Sequence, residues 1–232
     1  MRHTTFKALV LFAATITFIA APAGATLLGS VNIQNHSQVY SEQAQLWGGG
    51  LNGDTYFTGV YSWTNMGGTD AGLYVPNWGF CIELTQEARN GWQDVIPLAE
   101  APLPAYPIYG TPMGEIKANY IRELWGRNFD PTWATGANRE YAEAFSVCIW
   151  EIIYETDPVW NVNSGAGFHA GSIQQADTAN LWLSQLTYNS AYFASGLVAT
   201  DDGQDYIVQI PEPATLSLLA IGAAALLRKR KS

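Results

Sequence analysis

Positive charge is scarce in this sequence. Its 232 residues include 11 Lys and Arg against 20 Asp and Glu, so the net charge is −9, and charged residues of both signs reach only 13%. Six of the basic residues lie at the two chain ends, so residues 26–213 carry five basic and twenty acidic side chains, a net charge of −15. Such a negative field repels phosphate backbones, so nucleic acid is not an expected partner.

Metal-ligating and nucleophilic residues are also few. Beyond residue 25 the chain has two His, His36 and His169, with no third ligand nearby in sequence, so no metal site is expected. GxSxG, HExxH, Walker A and GxGxxG patterns with their required context do not occur. The acidic run 201–205 lacks the spacing of an EF-hand and predicts a turn. We therefore expect no cofactor, no catalytic residue and no enzymatic activity.

Aromatic residues, in contrast, are abundant. The chain has 9 Trp, 12 Tyr and 9 Phe, and its 48% hydrophobic content is enough for a core. A surface with so little charge must consist largely of amides, hydroxyls and aromatic edges, as is typical of exported proteins. Most Trp residues are expected to be buried. Trp47 and Trp133 lie beside loops rich in Gly or Pro and are predicted to be exposed rings that can contact sugars.

The N-terminus has the three parts of a secretory signal peptide. Basic residues at positions 2 and 7 precede an apolar stretch, and Ala23-Gly24-Ala25 forms a small-x-small cleavage site. Residues 1–25 are therefore predicted to be removed by signal peptidase, so that the mature protein starts near Thr26.

The C-terminus also has three parts. Pro211-Glu212-Pro213 is followed by fourteen apolar residues and then by four consecutive cations, Arg228, Lys229, Arg230 and Lys231. Fourteen helical residues rise about 21 Å, against about 30 Å of membrane hydrocarbon, so the segment is marginal as a permanent span. The cations are expected to hold it at the inner membrane from the cytoplasmic side, with the body in the periplasm.

This arrangement of residues 211–232 resembles the PEP-CTERM sorting signal of Gram-negative bacteria. The resemblance implies recognition by an exosortase, a membrane-embedded cysteine transpeptidase, and delivery to the cell surface or to the extracellular polysaccharide matrix. The expected partners are then signal peptidase, the exosortase, the inner membrane before sorting, and an exopolysaccharide or surface ligand.

The body, residues 26–210, is predicted to be one α+β domain with a β-rich N-terminal half and a helical C-terminal half. Alternating patterns over 30–40, 55–63 and 72–84 predict strands, and a closing strand is predicted over 205–210.

Three helices follow from the period of the apolar side chains, over 113–125, 138–156 and 172–186. In the second helix, Glu140, Glu143, Glu151 and Glu155 lie opposite the apolar stripe, which predicts a solvated face.

Cys81 and Cys148 are the two cysteines, and in an exported protein such a pair is first interpreted as a disulfide. Positions 146 and 148 of a helix are about 200° apart and flank the apolar stripe on opposite sides. A bond from Cys81 to Cys148 therefore requires the strand to lie over the flank that holds position 148. Otherwise Cys148 is a small buried residue and Cys81 is a lone thiol.

The strand sequence Phe80-Cys81-Ile82-Glu83 and the helix sequence 144–155 together resemble the Cys and Gln segments of thioester domains found in surface adhesins. In that family a strand cysteine and a helix glutamine form an internal thioester that acylates a target. Here Ser146 stands at the glutamine position, so this bond cannot form there.

We therefore expect an exported surface or matrix protein with a thioester-domain-like fold, acting by adhesion or by association with exopolysaccharide. Two alternatives stay open: a covalent adhesin that reacts through Cys81, and a polysaccharide-active enzyme.

Overall fold

The computed structural model describes residues 27–48, 50–69, 74–101, 112–189, 196–200 and 203–210. The predicted signal peptide, the sorting motif, the apolar C-terminal segment and the basic cluster lie outside these residues.

The first half of the body is built on a long antiparallel hairpin. Strand β1 runs over Gly29–Gly48 and β2 over Leu51–Gly68, so each is longer than the alternating pattern predicted. Irregular steps in their pairing divide β1 into parts that contact different neighbours: its start pairs with β4 (Gly91–Pro97) and its end with β5 (Phe168–Ala170).

Three further strands complete a seven-stranded antiparallel sheet. They are β3 (Trp78–Cys81), β6 (Gly196–Thr200) and β7 (Gly203–Val208). Along the sheet the strand order is β2-β3-β7-β6-β4-β1-β5. Because β1 also pairs with β2, every one of these strands except β5 belongs to a closed ring. The last strand before the sorting segment therefore lies inside the sheet, bonded to β3 and β6.

In the described residues the α-helices are α1 (Gly114–Asn128), α2 (Arg139–Tyr154) and α3 (Ala176–Ser184); α2 packs on the sheet, and α1 and α3 pack on α2. Helix α2 is central, because it contacts β1, β2, β5, α1 and α3. All its residues from Ala142 to Tyr154 are buried. The helix ends where Glu155 turns to an extended conformation and uses its carboxylate to hold the following loop.

The α+β architecture agrees with the sequence prediction, with corrections in detail. Strands β4, β5 and β6 were not predicted, and two of them lie in the half expected to be helical. Helix α3 starts at Ala176 rather than at 172, because the backbone of Gln175, with φ −114° and ψ 39°, is not helical. Of the predicted strand 72–84, the structure describes residues 74–84, and within these only Trp78–Cys81 pairs as a strand.

Candidate functional site

Cys81 lies at the end of β3, in the interior of the sheet. Its Sγ donates a hydrogen bond to the carbonyl oxygen of Glu83 at 2.8 Å, and its side chain is 1% exposed. Burial, with the nearby Glu83 carboxylate, raises the pKa of the thiol well above its usual value. Cys81 is therefore a protonated thiol in the folded protein.

Helix α2 holds the end of β3 in place. The indole Nε1 of Trp150 donates to the Cys81 carbonyl at 2.8 Å, and the hydroxyl of Tyr154 donates to the Ile82 carbonyl at 2.6 Å. The two donors are four residues apart on one helix face, so they fix the backbone at Cys81 and directly after it. The position of Cys81 is set by α2 as well as by the sheet.

Ser146 is tied to the hairpin rather than to the thiol. Its Oγ accepts from the Gly59 N–H at 2.8 Å and donates to the Gly59 carbonyl at 3.2 Å. Both partners lie on β2, and the serine side chain is fully buried. At the position where the thioester resemblance requires glutamine, the short hydroxyl therefore joins a helix to a strand.

Of the two alternatives for Cys81 and Cys148, the disulfide is wrong: both cysteines are free and buried, as the other alternative predicted. The sulfur of Cys148 lies 3.5 Å from the carbonyl oxygen of Ala179 on α3, whereas Ser146 faces β2. The helical angle between positions 146 and 148 thus directs them to different neighbours. Cys148 faces α3, and Cys81 lies in the sheet.

A glutamine does lie beside Cys81, but it is on a strand and not on the helix where the thioester resemblance places it. Gln204 is on β7, which pairs with β3, and its Nε2 donates to the Glu83 carbonyl at 3.3 Å. The Cys81 thiol donates to the same oxygen at 2.8 Å, so the sulfur and the amide nitrogen lie within about 6 Å of each other. A strand prediction that began at residue 205 left out Gln204, and nothing in the sequence pairs β7 with β3.

The amide oxygen of Gln204 also has a donor. The hydroxyl of Tyr206 donates to Gln204 Oε1 at 2.9 Å. Burial raises the pKa of the Tyr206 hydroxyl, so it stays protonated and polarises the amide carbonyl. Cys81, Gln204 and Tyr206 form what we call the thiol–amide site.

The acidic face predicted for α2 is not solvated. Glu143, Glu151 and Glu155 are at most 4% exposed, because loops and α3 cover this side of the helix. Burial raises the pKa of Glu143 and of Glu151 to about 7. Glu155 instead accepts hydrogen bonds from four backbone N–H groups, which hold its pKa below the usual value despite burial.

The structure separates the two tryptophans chosen as sugar contacts. Trp133 is 3% exposed and packs on Phe145, so its predicted exposure is wrong. Trp47 is half-buried and stacks on His169 at 5.4 Å. Its indole also lies close to Gly53, where a Cβ would come within 2.8 Å of Nε1. Its contact with sugar stays a prediction.

Other features concern metals and membranes. Within the described residues, no three His, Cys, Asp or Glu side chains lie close enough together to hold a metal ion. His36 and His169 are in separate places, stacked on Tyr206 and on Trp47 respectively.

None of the helices in the described parts of the chain has the length and apolar content needed to cross a membrane.

Comparison with known proteins concerns the C-terminus. Residues 209–231 match the PEP-CTERM protein-sorting motif. The match implies an exported protein that an exosortase sorts to the cell surface. It begins at Gln209, directly after the last residue of β7, so the signal follows the folded body without a spacer. No curated protein and no solved structure matches the chain, and the family of the body is not identified.

Proposed function

We propose that the protein is a surface or matrix component that works by binding, as an adhesin or through exopolysaccharide, and not by chemical turnover. The observation that carries the proposal is the sorting motif at 209–231, placed directly after a strand of the body. The excess of acidic over basic side chains in residues 26–213 supports an uncharged or cationic partner.

Fractionation of the producing cells tests this proposal. The body is expected in the surface and matrix fraction, shortened within or after the motif, and intact mass of the recovered protein locates the new C-terminus. Replacing Pro211, Glu212 and Pro213 by Ala, or deleting the exosortase, is expected to leave uncut protein in the inner membrane. Release of full-length protein to the medium, both by the wild type and by the exosortase deletion strain, would overturn the proposal. Release of sugar from matrix polysaccharide by the protein would favour an enzyme.

A second function, covalent adhesion through Cys81, is favoured by the thiol–amide site. The Cys81 sulfur would attack Cδ of Gln204, forming the S–C bond and breaking the C–N bond. The thiol proton would pass to the leaving nitrogen, which departs as ammonia. The convergence of both groups on the Glu83 carbonyl, and the Tyr206 hydroxyl on Oε1, support this step.

Intact mass of the exported protein tests the second function. A thioester lowers the mass by about 17 Da relative to the sequence, and methylamine then adds to the Gln204 carbonyl. Gln204→Ala is expected to abolish both effects, whereas the matched change Gln86→Ala, on the segment of Cys81 itself, is expected to preserve them. A mass equal to that of the unmodified chain, with two thiols titrating after unfolding, would contradict covalent adhesion.

A further inference from the structure

Three aromatic side chains from distant parts of the chain meet at the surface. Tyr120 lies on α1, Trp160 on the loop after α2, and Tyr188 on the segment after α3. The ring centroids of Tyr120 and Trp160 are 4.8 Å apart at an interplanar angle of 86°, and those of Tyr120 and Tyr188 are 5.2 Å apart at 62°. Tyr188 is 43% exposed, and the other two rings are half-buried. We call these residues the aromatic trio.

Buried carboxylates fix the segments that carry two of the rings. Glu123 is fully buried on α1 and accepts from the N–H groups of Thr187 at 3.0 Å and Asn189 at 2.9 Å, on both sides of Tyr188. Glu151, also fully buried, accepts from the Asn161 N–H at 2.7 Å, next to Trp160. The rings therefore lie on loops whose backbone is held from the core, which lowers the entropy cost of binding.

Tyr188 has a strained backbone. Its φ of 61° lies in the left-handed region, which is unfavourable for a bulky residue. The two bonds from Glu123 keep this conformation, and the hydroxyl of Tyr188 accepts from the Asn119 amide at 3.3 Å. A glycine would fit this backbone better, so the ring is present at the expense of local stability.

The charges nearest the trio on α1 are already engaged. Arg122 pairs with Glu115 at 3.0 Å, and the Lys117 ammonium donates to the carbonyl of Ile153. The Asn119 amide is engaged as well, because its Oδ1 accepts from Arg122 at 2.8 Å, so the trio presents ring faces and hydroxyls. Tyr and Trp offer a large rigid contact area with polar edges, which fits the C–H faces and hydroxyl groups of a sugar.

We propose that the aromatic trio is a binding site for a neutral glycan chain, with Trp160 and Tyr188 as stacking residues and the Tyr188 hydroxyl as a hydrogen-bond donor. This inference rests on the proposed function as a surface or matrix protein and assigns a place and a ligand class to it. The net negative charge of the body disfavours polyanionic polysaccharides, and the pairing of Arg122 with Glu115 beside the trio fits a ligand without charge.

Affinity electrophoresis of the exported protein tests the site, with neutral polysaccharides (hydroxyethylcellulose, galactomannan, dextran) and the acidic alginate as probes. Retardation by at least one neutral polymer and none by alginate is expected. Trp160→Ala and Tyr188→Gly are each expected to weaken retardation about fivefold to tenfold. Urea unfolding of both trio variants is measured alongside, and midpoints close to that of the wild type show that weaker retardation does not come from unfolding.

Trp92 supplies the matched control. It is 57% exposed on β4 and lies outside the trio, so Trp92→Ala is expected to bind like the wild type. Unchanged retardation in both trio variants, or loss in Trp92→Ala alone, would overturn the site. Failure of all three neutral polymers to retard the wild type, or retardation by alginate, would overturn the neutral glycan as the ligand. In that case exosortase-dependent sorting would still hold, because fractionation tests it separately.

Discussion

Ser146 joins α2 to β2 at the helix position where the thioester resemblance requires glutamine. Its hydroxyl makes two bonds to the backbone of Gly59 in a site without solvent. We predict that Ser146→Ala costs about 1–3 kcal/mol, because buried backbone groups lose their side-chain partner. We also predict that Ser146→Gln costs more, because the longer side chain must fit the same closed space.

Urea unfolding with intact mass measures both effects of the Ser146 variants. If Ser146→Gln were stable and about 17 Da lighter than its sequence, the glutamine position of the thioester resemblance would be functional after all.

Burial of Glu151 is expected to make the free energy of unfolding depend on pH. Its pKa is raised to about 7 by burial, from a usual value of 4.5. Between about pH 4.5 and 7 the unfolded chain releases this proton while the folded chain keeps it, so the free energy of unfolding decreases as pH rises through this window. Glu143, whose pKa is also raised to about 7, acts in the same direction.

Urea midpoints at pH 5 and pH 8 check this prediction. The midpoint is expected to fall from pH 5 to pH 8, and to fall less in Glu151→Gln, because glutamine keeps the acceptor for Asn161 without ionising. Glu87→Gln, an exposed position, serves as the control and should follow the wild type. An equal fall in Glu151→Gln would show that Glu151 is ionised in the folded protein.

At the scale of elements, α2 organises the loop that follows it through Glu155. The carboxylate accepts from Thr156 and Asp157 at 2.6 and 2.7 Å, and from Gly167 and Phe168 at 3.0 and 3.1 Å. These bonds close the loop 156–168 at both ends. The lowered pKa of Glu155 means that this contribution is present above its usual pKa and is lost as pH falls through the lowered one.

We predict that Glu155→Gln costs about 1.5–3 kcal/mol, since charge-assisted bonds become neutral ones. Hydrogen exchange is the measurement, and the amides of Thr156, Asp157, Gly167 and Phe168 should lose protection more than the rest of the chain. Glu140→Gln, in the first turn of the same helix, is the matched control. Equal protection in the two variants would contradict the role given to Glu155.

At the scale of the whole molecule, β7 joins the body to the sorting segment. This strand is buried and lies between β3 and β6, while the sorting motif begins one residue after it. Exosortase processing must therefore cut beyond Val208 if the ring of strands is to stay intact.

A pair of shortened chains tests the role of β7. A chain of residues 26–202 is expected to lack a cooperative unfolding transition, because β3 and β6 lose the strand between them. A chain of residues 26–210 is expected to unfold cooperatively. Circular dichroism in increasing urea distinguishes them, and similar cooperative curves would show that β7 is dispensable.

Features that depend on a local pattern or on order along the chain could be predicted from the amino-acid sequence. The sorting motif is recognised from the succession of Pro211, Glu212, Pro213, apolar residues and cations, and the three helices from the period of their apolar side chains. The α+β class follows from the same periods, because period 2 and period 3.6 each specify an element.

The tertiary structure alone decided which side chains meet. No local sequence pattern places Gln204 beside Cys81, because β7 pairs with β3, which is more than 120 residues away in sequence. The acidic side of α2 has the spacing of a solvated face, yet it is buried because α3 and the loop 156–168 cover it. The aromatic trio likewise needs three elements at once. Burial and long-range pairing depend on how elements pack, and a one-dimensional pattern does not carry that information.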